Sequence, residues 1–200
     1  MWCVVGLGNP GPRYRWSRHN VGFQFIDRLS LVSGIQINRR SSQLTWGKGT
    51  WCQERVVLAR PLTFMNLTGE GVRVLRRQHG CDPGSLIVVH DDLDLGLGRL
   101  KFKSRGGDGG HKGIRSIMEA LGQDRFLRLR IGIGRPPAGA DATEFVLESF
   151  GEDERAFVQE ALERAVDGLE ALIVKGLPEA MRLCHAPSAP QECKTKETIE

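Results

Sequence analysis

The sequence predicts an α/β fold: a single domain with a mixed, mostly parallel central sheet flanked by helices. Three observations predict it. Leu86-Ile87-Val88-Val89 is a continuous apolar run, the mark of a strand covered on both faces. Such runs alternate along the chain with segments of helical periodicity, the pattern of strand–helix units. The chain has 200 residues, 40% of them hydrophobic and 26% charged, which suits one domain with a real core.

The first strand is Val4-Val5, β-branched and running into Gly6-Leu7-Gly8-Asn9-Pro10-Gly11. Gly6, Gly8 and Gly11 permit positive φ and Pro10 fixes its own, so Asn9 is expected on a rigid mount. Val21, Phe25, Leu29 and Val32 recur at helical spacing, with Asn20 in the N-cap position and Gly34 as the stop. Residues 43–60 read as a strand pair turning near Cys52-Gln53-Glu54. Pro61 ends that pairing, and Phe64-Met65-Asn66 leads into a helix from Leu67 to His79 with Val72 and Leu75 inward. Asn66 there reads either as an N-cap or as an amide aimed into a site. Leu86–Val89 delivers His90-Asp91-Asp92-Leu93-Asp94 at its C-terminal end. Residues 99–103 and 127–133 alternate as strands, with a helix from Ile114 to Leu121 between them. Pro136-Pro137-Ala138-Gly139 reads as a loop. Glu152–Lys175 is a long amphipathic helix with Phe157, Ala161, Leu162, Ala165, Leu169 and Leu172 on one face. A short helix follows near residues 178–183. Residues 1–185 form the expected domain, and 186–200 are expected to be a disordered tail.

Several function classes are excluded at this level. No apolar run approaches the roughly 18 residues of a membrane span, and no basic segment followed by an apolar one opens the chain. Cys3, Cys52, Cys81, Cys184 and Cys193 are scattered and contain no C-x-x-C pair, so neither a disulfide framework nor a zinc knuckle is expected, and a reducing cytoplasm fits best. Gly6-x-Gly8-x-x-Gly11 follows a strand, but Pro12 to Arg18 intervenes before any helix, which is the wrong spacing for a dinucleotide. In Gly110-His111-Lys112 a histidine separates glycine from lysine, so this is not a P-loop. No G-x-S-x-G elbow occurs.

What remains points to a crevice at the C-terminal ends of the strands. A carboxylate beside a histidine fixes its tautomer and supports it as a base, so Asp91 draws attention to His19. On a strand His90, Asp92 and Asp94 face one way and Asp91 the other; the acidic cluster is also readable as ligands for Mg²⁺ or Mn²⁺. Lys101, Lys103, Arg105 and Lys112 surround glycines ahead of a helix, where free backbone N–H groups suit a phosphate. The formal charge of +4 permits a nucleic-acid partner without demanding one.

Six ordered blocks carry a resemblance: Val5 to Gly11, Arg18 to Gly22, Pro61 to Asn66, His90 to Asp94, Gly109 to Gly113, and Arg128 to Gly134. Together they resemble the bacterial-type peptidyl-tRNA hydrolase family, over roughly residues 3–185. The resemblance implies a monomer that hydrolyses the ester between a peptide and the 3′-terminal ribose of tRNA, recycling the tRNA, with peptidyl-tRNA as partner, no membrane, no cofactor and no metal. It implies His19 as the catalytic base and Asp91 as the group stabilising its active form. Asn9 would distinguish N-blocked from free aminoacyl-tRNA, and Asn66 would bind near the scissile ester. Tyr14, Phe64 and Met65 fall at substrate-contacting positions, and Lys101, Lys103, Lys112 and Arg130 at substrate or tRNA positions. The chain departs from the family at Lys112, where some members carry asparagine, at Arg105, where some carry glycine, and at Asp92, where many carry glutamate. Two other classes stay open: a non-catalytic RNA-binding relative, and a metal-dependent hydrolase using Asp91, Asp92 and Asp94.

Overall fold

A computed structural model describes residues 1–185. The expected tail, 186–200, lies outside the described residues. The elements are β1 (Trp2–Gly6), α1 (Val21–Ser33), β2 (Arg39–Arg40), β3 (Leu44–Trp51), β4 (Glu54–Pro61), α2 (Thr68–His79), β5 (Leu86–Asp92), β6 (Leu100–Lys103), α3 (Lys112–Leu121), β7 (Leu127–Gly132), α4 (Ala142–Leu147), α5 (Glu152–Lys175) and α6 (Leu177–His185). They build one seven-stranded sheet in the order β2-β3-β4-β1-β5-β7-β6. The pairs β4–β1, β1–β5 and β5–β7 are parallel, while β3 and β6 run against their neighbours. The sheet is therefore mixed and mostly parallel, as the alternating pattern predicts.

Each central strand feeds both layers. Val4, Leu58, Ile87, Val89 and Leu129 face one core, closed by α1, α5 and α6. Cys3, Val5, Val57, Leu86 and Val88 face the other, closed by α2 and α3. Residues alternate between the faces with period two, and both faces are apolar, which is why these strands read as unbroken hydrophobic runs. The helix after β1 covers one face and the helix after β4 covers the other. The carboxyl ends of β1, β4 and β5 consequently open onto one crevice, the usual ligand position in such sheets.

The structure corrects the reason for two glycines. Of Gly6, Gly8 and Gly11, only Gly11 has positive φ, at 106°. Gly6 and Gly8 are required by close approach instead: a Cβ on Gly6 would lie 2.1 Å from the Gly22 carbonyl oxygen, and one on Gly8 would lie 2.7 Å from the Phe23 ring. Gly22 is equally confined, since its Cβ would lie 2.4 Å from the Val89 oxygen. The start of α1 is thereby pressed onto the ends of β1 and β5.

Other expectations are corrected by packing. Phe157 is exposed, and Val158 takes the inward place on α5. Asn20 occupies the N-cap position of α1 but makes no capping bond, because its side chain is committed to Asn9. Leu67, not Asn66, is the N-cap residue of α2. The two-residue β2, the six-residue α4 and the 3-10 turns at Pro12–Tyr14, Arg18–Asn20, Met65–Leu67 and Pro83–Ser85 are too short for periodicity to reveal. Cys52 and Gln53 both adopt positive φ in the β3–β4 hairpin, the geometry of a two-residue turn.

Candidate active site

The crevice is a cleft of about 940 Å³ whose walls include Asn9, His19, Phe64, Met65, Asn66, His90, Asp91, Lys112 and Arg130, with α4 closing one side through Ala142, Thr143, Val146 and Leu147. Its floor is assembled by hydrogen bonds between loops distant in sequence.

Asn9 is held from two sides. Asn20 Oδ1 accepts the Asn9 N–H at 2.8 Å, and Asn20 Nδ2 donates to the Asn9 carbonyl at 2.9 Å. Asn9 Oδ1 then accepts the Met65 N–H at 2.9 Å. That bond fixes the amide's orientation, and among the described residues the Asn9 Nδ2 protons have no acceptor. Gly113 allows the Met65 sulfur to pack closely, since a Cβ there would lie 2.5 Å from it.

His19 sits in the 3-10 turn Arg18–Asn20, immediately before α1. Its Nδ1 lies 2.9 Å from both carboxylate oxygens of Asp91. Asp91 is the penultimate residue of β5 and is 3% exposed. A second histidine meets the same carboxylate: His111 Nε2 lies 2.9 Å from Asp91 Oδ1. The tautomer of His111 follows from its other nitrogen. Nδ1 accepts the N–H groups of Gly113 and Ile114 at 3.1 and 3.3 Å, capping α3, so the proton resides on Nε2 and is donated to Asp91. Burial by itself would raise the Asp91 carboxyl, but the two imidazoles beside it outweigh burial and hold it well below the usual carboxylate range. An ionised Asp91 accepts from His19 Nδ1–H, which leaves the ring's lone pair on Nε2.

Asp91 therefore faces the two imidazoles, Asp92 pairs with Arg130, and Asp94 pairs with Arg135. The three carboxylates engage separate partners and share no common ligand point, contrary to the reading of Asp91, Asp92 and Asp94 as one metal site. His19, Asp91 and His111 do bring three donor atoms within 4.8 Å of one another. Their 2.9 Å nitrogen–oxygen separations are hydrogen-bond distances with a proton between each pair.

His90 packs its ring 4.8 Å from that of His111, and its Nδ1 donates to the Asp91 carbonyl oxygen at 2.7 Å. Its Nε2 is buried with no partner among the described residues, and burial pushes this imidazole far down, so it is neutral.

The remaining expected residues divide by position. Phe64 and Asn66 line the cleft from an exposed turn, Phe64 with 58% of its surface open. Lys112 begins α3 on the same wall. Tyr14 lies outside the lining, with the Arg13 guanidinium over its ring and its carbonyl accepting the Ser17 hydroxyl. Lys101 and Lys103 also lie outside it, on β6, where they pair directly with Arg130 and Arg128. Opposite residues of an antiparallel pair share a face, so these four cations occupy one face of the sheet edge. Arg128 is buried beneath the glycine loop and donates to the carbonyls of Gly106, Gly107 and Asp124. His111 was not among the expected site residues. Its available signal was a histidine between a glycine run and an apolar-periodic helix, a position where a ring nitrogen can cap.

The family model described as Peptidyl-tRNA hydrolase matches residues 3–193. A curated relative of that name from Geobacter sp. (strain M21) is 47% identical over 92% of this chain and 97% of its own length. Another from Frankia alni is 44% identical over 92% of this chain and 94% of its own. The crystal structure of peptidyl-tRNA hydrolase from Acinetobacter baumannii at 1.00 Å resolution superposes with a TM-score of 0.87 at 34% identity, covering 93% of this chain and 95% of that one. A complex of peptidyl-tRNA hydrolase with N-propanol gives 0.88 at 33% identity, covering 94% and 96%.

Proposed function

The chain belongs to the peptidyl-tRNA hydrolase family, and we propose that it hydrolyses peptidyl-tRNA with His19 as the general base, held in its active tautomer by Asp91. The observation that carries the residue assignment is the direction of the His19 ring. Nδ1 is occupied by Asp91 and the ring lines the cleft, so Nε2 is the nitrogen left to accept a proton.

The reaction follows from that geometry. His19 Nε2 takes a proton from water, and the water oxygen attacks the ester carbonyl. The tetrahedral oxyanion needs donors aimed where its charge develops. The Asn9 Nδ2 group, the Asn66 amide and the Lys112 ammonium stand on the cleft wall for that purpose. Collapse expels the ribose 3′ oxygen, which takes the proton back from the imidazolium, leaving free tRNA and a peptide carboxylic acid that loses its proton to solvent. A covalent route finds no support in the lining: Ser116 Oγ accepts the Gly69 N–H, neither it nor the Thr143 hydroxyl is hydrogen-bonded to a base among the described residues, and no cysteine is in the wall. Phe64 offers an exposed ring on which a base or side chain can stack. Lys101, Lys103 and Arg130 extend from the cleft along one sheet face as a path for tRNA phosphates. No helix among the described residues is long and apolar enough to cross a membrane. We further infer that it acts as a monomer in the cytoplasm.

The test is ester cleavage of N-blocked against free aminoacyl-tRNA, with and without exhaustive chelation. Cleavage of the N-blocked substrate that survives chelator supports this reading. Binding without turnover identifies an RNA-binding protein instead, and loss of activity on chelation restores the metal reading.

A further inference from the structure

The residue before His19 is held more tightly than an exposed turn requires. Arg18 is 6% exposed, although arginine is almost never buried unless paired. Its Nη1 and Nη2 donate to the two oxygens of Glu154 at 2.9 and 2.7 Å, a bidentate fork reaching across 136 residues to α5. The guanidinium carbon lies 4.3 Å from the Phe145 ring centre and 4.9 Å from that of Phe150. The Arg18 backbone N–H donates to the Glu148 carbonyl at 2.9 Å, and Ser17 bridges to Ser149. Glu154 is itself fixed, because its second oxygen accepts the Gly151 N–H at 2.7 Å.

The turn makes this clamp consequential. Arg18–Asn20 is a 3-10 turn, in which successive side chains point about 120° apart. Arg18 reaches α5, His19 reaches Asp91, and Asn20 reaches Asn9. A turn tied in three diverging directions cannot rotate about its axis without breaking a tie. Phe145 belongs to α4, whose neighbouring residues line the cleft. The same clamp therefore sets the His19 ring against that wall.

We propose that Arg18 is a positioning residue for hydrolysis, its clamp by Glu154, Phe145 and Phe150 fixing the rotation of the turn that aims His19 Nε2 and registering that turn against α4. The proposal rests on the assignment of His19 as base. Displacement of a reacting group by about 1 Å is enough to cost some 10²-fold in rate.

Two variants test it: Arg18→Lys, which keeps charge but loses the fork, and Glu154→Gln, which keeps size but weakens it. Val72→Ala, on the buried face of α2, serves as a control of comparable destabilisation. Both clamp variants should lower kcat about tenfold or more with KM within about twofold of wild type, while Val72→Ala leaves kcat unchanged. In ¹⁵N-labelled protein the hydrogen-bonded Nδ1 proton of His19 should broaden or vanish in both, with the His111 Nε2 proton retained. A kcat within twofold of wild type in both variants, or a loss no larger than that of the control at matched Tm, overturns the positioning role. If the wild-type chain cleaves no ester, the activity assignment falls, and the Nδ1 resonance alone decides the clamp: its loss in both variants upholds it, and its persistence overturns it.

Discussion

Asn20 returns both halves of its side-chain amide to the backbone of Asn9, accepting from its N–H at 2.8 Å and donating to its carbonyl at 2.9 Å. One side chain thus splices the glycine turn after β1 to the turn that carries His19. Asn20→Ala would strand two buried backbone groups at roughly 1–3 kcal/mol each, for a loss of about 2–6 kcal/mol in denaturant unfolding. Asn20→Asp can still accept but not donate, and it buries a carboxylate against the Asn9 carbonyl, so it should lose at least as much. Equal stability of Asn20→Ala and wild type would show that Asn9 is held by Asn20 only incidentally.

His19 has its Nδ1 committed to Asp91, so Nε2 is the ring's one remaining site for a substrate proton. His19→Ala should lower kcat by about 10²–10⁴-fold, the usual contribution of a positioned base. The ring is not on the phosphate path, so affinity for tRNA should stay within a few-fold of wild type. Filter binding and single-turnover cleavage measure the two separately. A parallel loss of binding would remove His19 from the role of base.

The residues legible in the sequence were those whose chemistry is local. Continuous apolar runs located β1 and β5, and a carboxylate at the mouth of a buried strand made Asp91 conspicuous. His111 was obscured because its role depends on both ring nitrogens at once, one capping α3 and the other meeting a carboxylate 20 residues away. The Arg18–Glu154 fork spans 136 residues, and no periodicity encodes such a pair. Gly6 and Gly8 looked like turn glycines, but their neighbours Gly22 and Phe23 come from the following helix. A sequence shows that a Cβ is absent; only packing shows whether φ or space demands it.

His90 links stability to pH. Burial depresses its imidazole well below the ordinary 6.5, so the folded state keeps it neutral where the unfolded chain protonates it. The sign follows: below about pH 6.5 the unfolded state binds the extra proton, and stability falls as pH falls, by about 1.4 kcal/mol per pH unit, until the folded group also titrates. Above that pH both states are neutral and the contribution vanishes. His79 and His185 are also depressed and add to the wild-type slope, so the informative quantity is a difference. His90→Asn, whose amide can still donate to the Asp91 carbonyl, should flatten the curve of unfolding free energy below pH 6.5 relative to wild type. Parallel curves for the two proteins would mean that His90 is protonated in the fold.

Lys103 tests the path drawn for tRNA. It lies on β6 opposite Arg128, one pleat from the Lys101–Arg130 pair, and it has no ion pair among the described residues. Arg128 is absorbed beneath the glycine loop and Arg130 is partly neutralised by Asp92, so the two lysines carry most of the free charge on this face. Each phosphate contact releases condensed counterion and adds about 0.7–0.9 to the slope of log K against log salt. Lys103→Ala should therefore weaken tRNA binding at low salt, lower the magnitude of that slope by about one contact, and converge with wild type as salt rises. Cleavage at saturating substrate should be unaffected, because the ester lies in the cleft and not on β6. Lys101→Ala should behave in the same way. Replacing both should remove about two contacts from the slope if the lysines meet separate phosphates, and about one if they share a phosphate. An unchanged slope in both single variants would move the tRNA to another face of the molecule.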